Sequence, residues 1–186
     1  MSDPVVDLAR AVDFAARKHR DQRRKGADAE PYVNHPAEVA RLVAEATLGR
    51  DPVVVIAALL HDTIEDTATT REELVHEFGE EVAALVAEVT DDKSLPKAER
   101  KRLQVHHAPS RSERAKLIKL ADKTSNLRSM LSSPPADWDP RRKREYLAWA
   151  AEVVAGCRGV NERLEAWFDE AHREGRAALD EGDPAG

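Results

Sequence analysis

Segment 53–66, which reads VVVIAALLHDTIED, holds the residues of this chain that are best placed to do chemistry. An unbroken apolar run at 53–60 leads directly into His61-Asp62, and Glu65-Asp66 follow shortly after. Such a run belongs in a core, so the ionisable groups at its end lie where an unpaired charge is costly. In a helix, His61 lies one turn from Glu65, and Asp62 lies one turn from Asp66.

Two readings fit this spacing. A helical arrangement would crowd carboxylates at the C-terminal end of a helix, where the macrodipole disfavours negative charge. A divalent cation held by imidazole and carboxylate groups would offset that charge. The alternative is a polar helix end whose charged side chains point into water, and spacing alone leaves both readings open.

A cation at His61-Asp62 would need more ligands, and the chain offers two. Asp122 lies in the apolar context AKLIKLADK, and His35 precedes a proline that suits a first helical position, which predicts His35 as the helix N-cap. Two histidines and two aspartates suit Mn²⁺, Zn²⁺ or Fe²⁺ better than Ca²⁺, which prefers oxygen ligands. Taken singly, His35 fits a helix cap and Asp122 fits an ion pair with a lysine such as Lys119.

The composition indicates one soluble globular domain. The chain has 186 residues, 41% of them hydrophobic and 34% charged, with a net charge of −6 that disfavours a nucleic-acid partner. Cys157 is the only cysteine, which fits a reducing compartment. The N-terminus lacks a secretory signal pattern, and 53–60 is shorter than the roughly 20 residues that span a bilayer. We expect a cytoplasmic protein without a membrane segment.

Helix signals recur along the chain, whereas strand signals do not. Asp3 before a proline predicts a helix start, and Thr70 with Glu73 has the form of a capping box. The last predicted helix covers 161–172. We therefore predict an all-α, bundle-like domain over residues 1–172, followed by a disordered tail over 173–186.

Basic and aromatic residues fall in separate groups. The basic groups suit either solvated helix faces or an anionic ligand, and the tryptophans are predicted to be core anchors. The basic residues in question are Arg23, Arg24, Lys25, Lys97, Arg100, Lys101, Arg102 and those at 141–144, and the tryptophans are Trp138, Trp149 and Trp167.

The order His35, His61-Asp62, Asp122 resembles the HD superfamily of metal-dependent phosphohydrolases. The segments RRKG…PYVNHP, AALLHDTIEDT, EFGEEVAALVAEVTDD and KLIKLADKTSNLR resemble successive motifs of the RelA/SpoT-type (p)ppGpp hydrolase domain. VTDDKSLPKAERKRLQ and WDPRRKREYLAWAAEVVAG resemble the stand-alone, Mesh-type small alarmone hydrolases. The resemblance covers about residues 5–168 and implies a single HD-domain helical bundle.

The resemblance also implies a role for each matching residue. Four side chains would hold Mn²⁺, namely His35, His61, Asp62 and Asp122. Two carboxylates would position or activate the attacking water, namely Glu65 and Asp66. Six residues would contact the nucleotide, namely Arg24, Lys25, Lys97, Asn126, Arg142 and Tyr146.

The implied reaction is attack of water on the 3′-diphosphate of ppGpp or pppGpp, which releases pyrophosphate and leaves GDP or GTP. Two alternatives stay open: removal of the 2′-phosphate of NADPH at the same site, and a catalytically silent module that binds nucleotide. The expected partner is a small-molecule nucleotide, and the sequence does not indicate an oligomeric state.

The chain departs from the bacterial bifunctional enzymes at two motifs. Their RKSG before the PY motif is replaced by the loop RRKGADAEPY, so a contact made by that serine is in doubt. Their RLHN after the last metal aspartate is replaced by KTSN, which puts Ser125 where those enzymes carry histidine. We therefore expect a nucleotide pocket that differs from theirs.

Overall fold

The structure, a computed structural model, describes residues 3–181 as a bundle of helices. Within that range there are isolated β-bridges but no strand, so the predicted all-α bundle is confirmed. No helix among these residues has the length and apolar character needed to cross a membrane. In chain order the helices are Pro4–Lys18 (α1), Asn34–Thr47 (α2), Pro52–Leu60 (α3), Thr63–Asp66 (α4), Arg71–Phe78 (α5), Glu80–Val89 (α6), Lys97–His107 (α7), Glu113–Ser132 (α8), Pro140–Ala155 (α9) and Glu162–Glu181 (α10), with a 3₁₀ turn at Ala108–Ser110.

Two of the predicted helix starts are made by the predicted side chains. The Asp3 carboxylate accepts a hydrogen bond from the backbone N–H of Val5 at 2.8 Å. The Thr70 hydroxyl accepts one from the backbone N–H of Glu73 at 3.2 Å. Both bonds satisfy N–H groups that have no partner within the first turn of a helix, which is why short polar residues recur at these positions.

Helix α3 is the buried centre of the bundle. Every residue from Val53 to Leu60 is buried, and the helix packs against α1, α2, α6 and α8. Such a helix has no polar face, so its position is fixed by packing on all sides. The residues that follow it are thereby held at a fixed point inside the bundle.

The 53–66 segment is not one continuous helix. Helix α3 ends at Leu60, and the short helix α4 begins only at Thr63, so His61-Asp62 lies in a break between them. The His61 ring bonds the carbonyl of Ala58 at 2.7 Å, and the Thr63 hydroxyl bonds the carbonyl of Leu60 at 2.7 Å. Side chains here occupy carbonyls that a continuing helix would use, which favours the break.

The start of α2 also differs from the prediction. Helix α2 begins at Asn34, so Val33 holds the cap position and His35 lies in the first turn. No side chain caps this end. His35 is buried and points into the bundle, where its ring meets α8 and the end of α3.

The structure corrects the predicted end of the last helix. Helix α10 continues to Glu181, whereas a disordered tail was predicted from residue 173, and residues 182–186 lie outside the described part. Gly175 is buried within the helix, and a Cβ there would come within 2.9 Å of the Leu147 side chain. This glycine is a close-packing position against α9 and not a helix end.

The central role of α3 predicts a large cost for truncating its last residue. Leu60→Ala should lower the free energy of unfolding by about 2–5 kcal/mol, because Leu60 is fully buried. Leu48→Ala is the matched control, since Leu48 is 66% exposed and should change stability by less than about 0.5 kcal/mol. Urea unfolding measures both. Equal effects of the two substitutions would contradict the assignment of α3 as the core helix.

Candidate metal centre and anion pocket

Two buried histidine rings, those of His35 and His61, direct their Nε2 atoms at the same pair of carboxylates. His35 Nδ1 contacts the Ser125 hydroxyl at 2.9 Å, and His61 Nδ1 contacts the carbonyl oxygen of Ala58 at 2.7 Å. Because a carbonyl can only accept, His61 Nδ1 carries the hydrogen and Nε2 keeps its lone pair. The Nε2 atoms of both rings face the carboxylates of Asp62 and Asp122.

The distances among these atoms fit one cation. Asp62 Oδ2 lies 3.1 Å from His61 Nε2 and 3.7 Å from His35 Nε2. Asp122 Oδ1 lies 3.3 Å from His35 Nε2 and 4.0 Å from His61 Nε2. Nitrogen and oxygen ligands lie about 2.0–2.2 Å from a cation such as zinc, so roughly 4.4 Å is the largest separation between two ligands of one ion. All four distances fall below that limit.

One polar atom of this cluster has no protein partner. His61 Nε2 is buried and makes no hydrogen bond within the described residues. A buried polar atom without a partner is rare and costly. Lone pairs of imidazole facing carboxylate oxygens repel each other unless a proton or a cation lies between them. The donor set of His35, His61 and Asp62, whose ligand atoms lie within 4.8 Å of one another, therefore fits a divalent metal ion.

The electrostatics of the cluster favour positive charge. Burial works against an ionised Asp62, but a protonated His61 ring outweighs it and holds the pKa of Asp62 below its usual value, just as the Asp62 charge raises the pKa of His61 against the effect of burial. Burial likewise opposes ionised Asp122, and the Lys123 ammonium keeps its pKa far below normal. Burial lowers the pKa of His35, which favours the neutral ring that a metal ligand must be.

Neighbouring side chains hold the two carboxylates in place. The Tyr32 hydroxyl donates to Asp62 Oδ2 at 2.6 Å, and burial together with the Asp62 charge raises the pKa of Tyr32 so that it stays a donor. Asp122 accepts from Lys123 Nζ at 2.9 Å and from Asn126 Nδ2 at 2.6 Å. The ion-pair partner of Asp122 is thus Lys123.

The lysine suggested by the sequence as a partner for Asp122 is used elsewhere. Lys119 is buried on α8, and its ammonium donates to the carbonyl oxygen of Val89 at 2.7 Å. Burial lowers the pKa of Lys119. Its role is to join α8 to the end of α6, while the adjacent turn of α8 carries Asp122.

The carboxylates of Glu65 and Asp66 lie at the edge of the same cluster. Glu65 accepts from the backbone N–H of Asp91 at 3.1 Å and lies 3.4 Å from Arg100. Burial raises the pKa of Glu65, and the Asp91 and Asp62 carboxylates raise it further. Asp66 accepts from Gln22 at 2.9 Å and forms an ion pair with Lys93. Both carboxylates are thus half-buried and each lies beside a cation, Glu65 beside Arg100 and Asp66 beside Lys93.

One open cavity of about 910 Å³ collects the predicted site residues. Its floor carries His35, Asp62, Asp122, Glu65 and Asp66, with His61 lying behind them. Every residue predicted to contact the nucleotide also lines this cavity, namely Arg24, Lys25, Lys97, Asn126, Arg142 and Tyr146. The bundle therefore brings together residues from opposite ends of the sequence.

A group of cations lines the same cavity as the acidic residues, and we call it the cationic wall. It includes Lys25, Lys97, Lys101 and Arg142. Burial lowers the pKa of Lys97, and the positive charges of Arg142 and Lys25 lower it further. Lys101 shows the same direction, because burial and the Lys97 charge both lower its pKa. Cations close enough for one to lower the pKa of another indicate a surface that favours an anion.

Aromatic side chains complete the pocket and correct one prediction. Trp138 and Trp149 are half-buried and line the cavity, so they are not core anchors, and Trp167 is also only half-buried. The Arg142 guanidinium lies 4.7 Å above the Trp138 ring, and burial raises the pKa of Tyr146 to about 12. Tryptophan and tyrosine faces beside cations suit a planar base attached to phosphates.

Sequence reasoning missed several residues of this pocket. Tyr32 lies in the PYVNHP segment, three residues before His35, and Lys93 directly follows Asp91-Asp92. Both positions lie inside motifs that had been recognised, so that signal was available. Arg100 and Lys101 belong to the basic groups for which the sequence left a solvated helix face and an anionic ligand both open, and Lys123 lies in the recognised KLIKLADKTSNLR segment.

Comparison with known proteins places the chain in a family. The family model for the HD domain matches residues 11–160. The chain belongs to the HD domain family. This HD-domain chain is 54% identical over 165 residues to human guanosine-3′,5′-bis(diphosphate) 3′-pyrophosphohydrolase MESH1. The aligned region covers 89% of this chain and 92% of the human protein. The Drosophila melanogaster protein of the same name is 46% identical over 171 residues, covering 92% and 96% of the two chains.

A solved structure supports the same assignment. It is described as a metazoan orthologue of SpoT that hydrolyses ppGpp, and it matches this HD-domain chain with a TM-score of 0.88 and 45% sequence identity. The match covers 94% of this chain and 98% of that structure. The HD-domain match and the histidine–aspartate cluster together support a divalent-metal site.

A divalent cation should stabilise the folded HD domain through this cluster. Adding Mn²⁺ to chelator-treated protein should raise Tm, since a ligand at 100 times its Kd stabilises by about 2.7 kcal/mol. His61→Ala should remove most of this rise, while His76→Ala should keep it because the His76 side chain is 86% exposed and remote from the cluster. Differential scanning calorimetry with and without Mn²⁺ makes the comparison. An undiminished rise in His61→Ala would place the cation elsewhere.

Proposed function

We propose that this chain is a metal-dependent guanosine-3′,5′-bis(diphosphate) 3′-pyrophosphohydrolase. It takes ppGpp or pppGpp and water and cleaves the bond between the ribose 3′-oxygen and the adjacent phosphorus. Pyrophosphate is released, and the 3′-oxygen takes up a proton to leave GDP or GTP. The bound cation is Mn²⁺, and the partner is a small-molecule nucleotide. The names of the relatives support this substrate, and the donor set of two histidines and two aspartates supports this class of metal.

One observation carries the proposal: the acidic cluster and a group of lysine and arginine side chains line the same cavity. A cavity of about 910 Å³ lies within the range of small-molecule sites, roughly 300–1,000 Å³. The wall cations suit the diphosphate groups, and the half-buried aromatic rings suit the guanine base. A phosphohydrolase needs both kinds of group in one cavity, because the scissile phosphate must contact the metal cluster and the cations at the same time.

Arginine and lysine side chains of the wall would bind and orient the phosphates. Arg24 contacts Asn126 at 3.3 Å, so its guanidinium is held over the floor, and Lys25 lies next to it at the rim. Charge-assisted hydrogen bonds to phosphate are the strong kind, and they neutralise charge that shifts toward the leaving group. These residues thereby hold the 3′-diphosphate over Asp62 and Asp122.

The Glu65 and Asp66 carboxylates would handle the attacking water. A divalent cation in this cluster, when bound, lowers the pKa of water and polarises a phosphoryl oxygen. Glu65 is the better base of the pair, since burial raises its pKa toward the pH at which it works. Asp66, held by Gln22 and Lys93, is placed to orient the water rather than to take its proton.

The direct test is turnover of ppGpp, pppGpp and NADPH side by side. With Mn²⁺, wild-type protein should release pyrophosphate from ppGpp, and chelator-treated protein should be inactive until Mn²⁺ is restored. Asp62→Ala and His61→Ala should abolish hydrolysis while leaving the helical circular-dichroism signal largely unchanged, because neither side chain builds the core.

The products separate the alternatives. Orthophosphate from NADPH without pyrophosphate from ppGpp would replace the proposal with the 2′-phosphatase reading. Tight binding of ppGpp without any hydrolysis would make this a silent nucleotide-binding module. Full turnover by metal-free protein would contradict the mechanism altogether.

The Glu65 assignment predicts how the rate depends on pH. A base must be unprotonated, so activity should fall as pH drops through the raised pKa of Glu65. Asp91→Asn removes a carboxylate that raises this pKa, so the acidic limb of the kcat profile should move to lower pH. Asp92→Asn is the control, because Asp92 is an exposed neighbour and should leave the limb in place. The idea fails if the two variants share the wild-type limb.

A further inference from the structure

A second layer of side chains lies behind the metal-site histidine His35. The Ser125 hydroxyl of α8 contacts His35 Nδ1 at 2.9 Å and Glu38 Oε2 at 2.7 Å. Ser125 is only 1% exposed, and Glu38 lies on α2 one turn beyond His35. The three side chains form a continuous path from the metal cluster to the edge of the bundle, which we name the Glu38–Ser125–His35 relay.

The direction of the hydrogen bonds in the relay follows by elimination. A carboxylate only accepts, so the single hydrogen of the Ser125 hydroxyl goes to Glu38. The hydroxyl oxygen can then only accept from His35, so His35 Nδ1 carries the ring hydrogen. This leaves the lone pair on Nε2, which is the atom 3.3 Å from Asp122 Oδ1 and 3.7 Å from Asp62 Oδ2.

The far end of the relay is anchored by arginines. Glu38 Oε1 lies 3.5 Å from Arg128 on α8 and 3.7 Å from Arg41 on α2. These cations leave Glu38 Oε2 for the serine, and Arg128 joins the same two helices that the relay spans. The Glu38 carboxylate is therefore held as an acceptor rather than free to swing into water.

The other metal-site histidine uses a different device for the same purpose. His61 bonds a backbone carbonyl, that of Ala58, which no substitution can remove. His35 depends on two replaceable side chains, those of Ser125 and Glu38. The orientation of His35 is thus the part of the cluster that this chain's own sequence sets.

We propose that Ser125 and Glu38 are positioning residues that hold His35 in the tautomer and orientation needed to bind the metal ion. The inference rests on the metal site of the proposed function and deepens it. Outer groups that orient metal-bound histidines typically contribute about 10–100-fold to metal affinity. Neither residue touches the reacting phosphate in this account.

The test measures metal affinity and the histidine tautomer, not turnover. Ser125→Ala should weaken Mn²⁺ binding by about 10–100-fold in calorimetric titration. In metal-free protein, long-range ¹H–¹⁵N spectra of the imidazole rings should show His35 leaving the Nδ1–H form. Glu38→Gln should change the Mn²⁺ affinity and the His35 tautomer in the same direction as Ser125→Ala, but to a smaller extent. Because Glu38 is half-buried, this variant keeps the test valid if Ser125→Ala fails to fold.

Two further variants separate positioning from general stability. Ser125→Thr keeps the hydroxyl and should restore affinity, since an adjoining cavity of about 170 Å³ leaves room for the methyl group. Thr124→Val removes a fully buried hydroxyl next to Ser125 that bonds only the carbonyl of Leu120. It should lower Tm without changing Mn²⁺ affinity or the His35 tautomer.

The outcomes are distinct. Mn²⁺ affinity within twofold of wild type in both Ser125→Ala and Glu38→Gln, with the His35 tautomer unchanged, would overturn the relay. An equal loss of affinity in Thr124→Val would also overturn it, because the effect would then be one of packing. Wild-type protein that binds no Mn²⁺ would instead refute the metal site, and with it the basis of the inference.

Discussion

The structure depends on one constraint: imidazole lone pairs and carboxylate oxygens are buried within 3.1–4.0 Å of each other. Such an arrangement is repulsive without positive charge between the atoms, and it persists only if the surrounding fold holds it. The wholly buried helix α3 fixes His61 and Asp62, the first turn of α2 supplies His35, and α8 supplies Asp122. Packing energy in the bundle thus holds a costly polar cluster in place.

The same bundle brings two kinds of charge to one cavity. Acidic and imidazole groups lie on the floor, and the lysines and arginines of α7, α9 and the loop after α1 form the wall. Burial and neighbouring cations lower the pKa values of Lys97 and Lys101, which suits an anion, while Tyr32 donates to Asp62 and Lys123 donates to Asp122. Cations and carboxylates thus line one cavity, and the proposed function rests on that arrangement.

Sequence alone predicted those features that depend on local chemistry. The caps by Asp3 and Thr70 were predictable because each satisfies N–H groups within its own helix turn. The helical class followed from periodicity, and the gathering of His35, His61, Asp62 and Asp122 followed from family resemblance rather than from spacing.

The features that sequence missed depend on contacts between distant segments. The continuation of α10 beyond residue 172 involves packing such as that of Gly175 against Leu147, and Trp138 looks like a core residue until the cavity beneath it is seen. The partner of Asp122 is Lys123 because Lys119 is engaged by the Val89 carbonyl. The role of Ser125 likewise needs Glu38, which is far from it in sequence and adjacent to it in space.

The central claim, that His35, His61, Asp62 and Asp122 share one cation in the cavity that the cationic wall lines, is tested most directly by anomalous diffraction. Crystals of wild-type protein with Mn²⁺ should show one manganese peak in this cavity, about 2.0–2.3 Å from ligand atoms of all four residues. The peak should vanish in Asp62→Ala crystals. A manganese peak bound elsewhere, or none here at saturating Mn²⁺, would contradict the account.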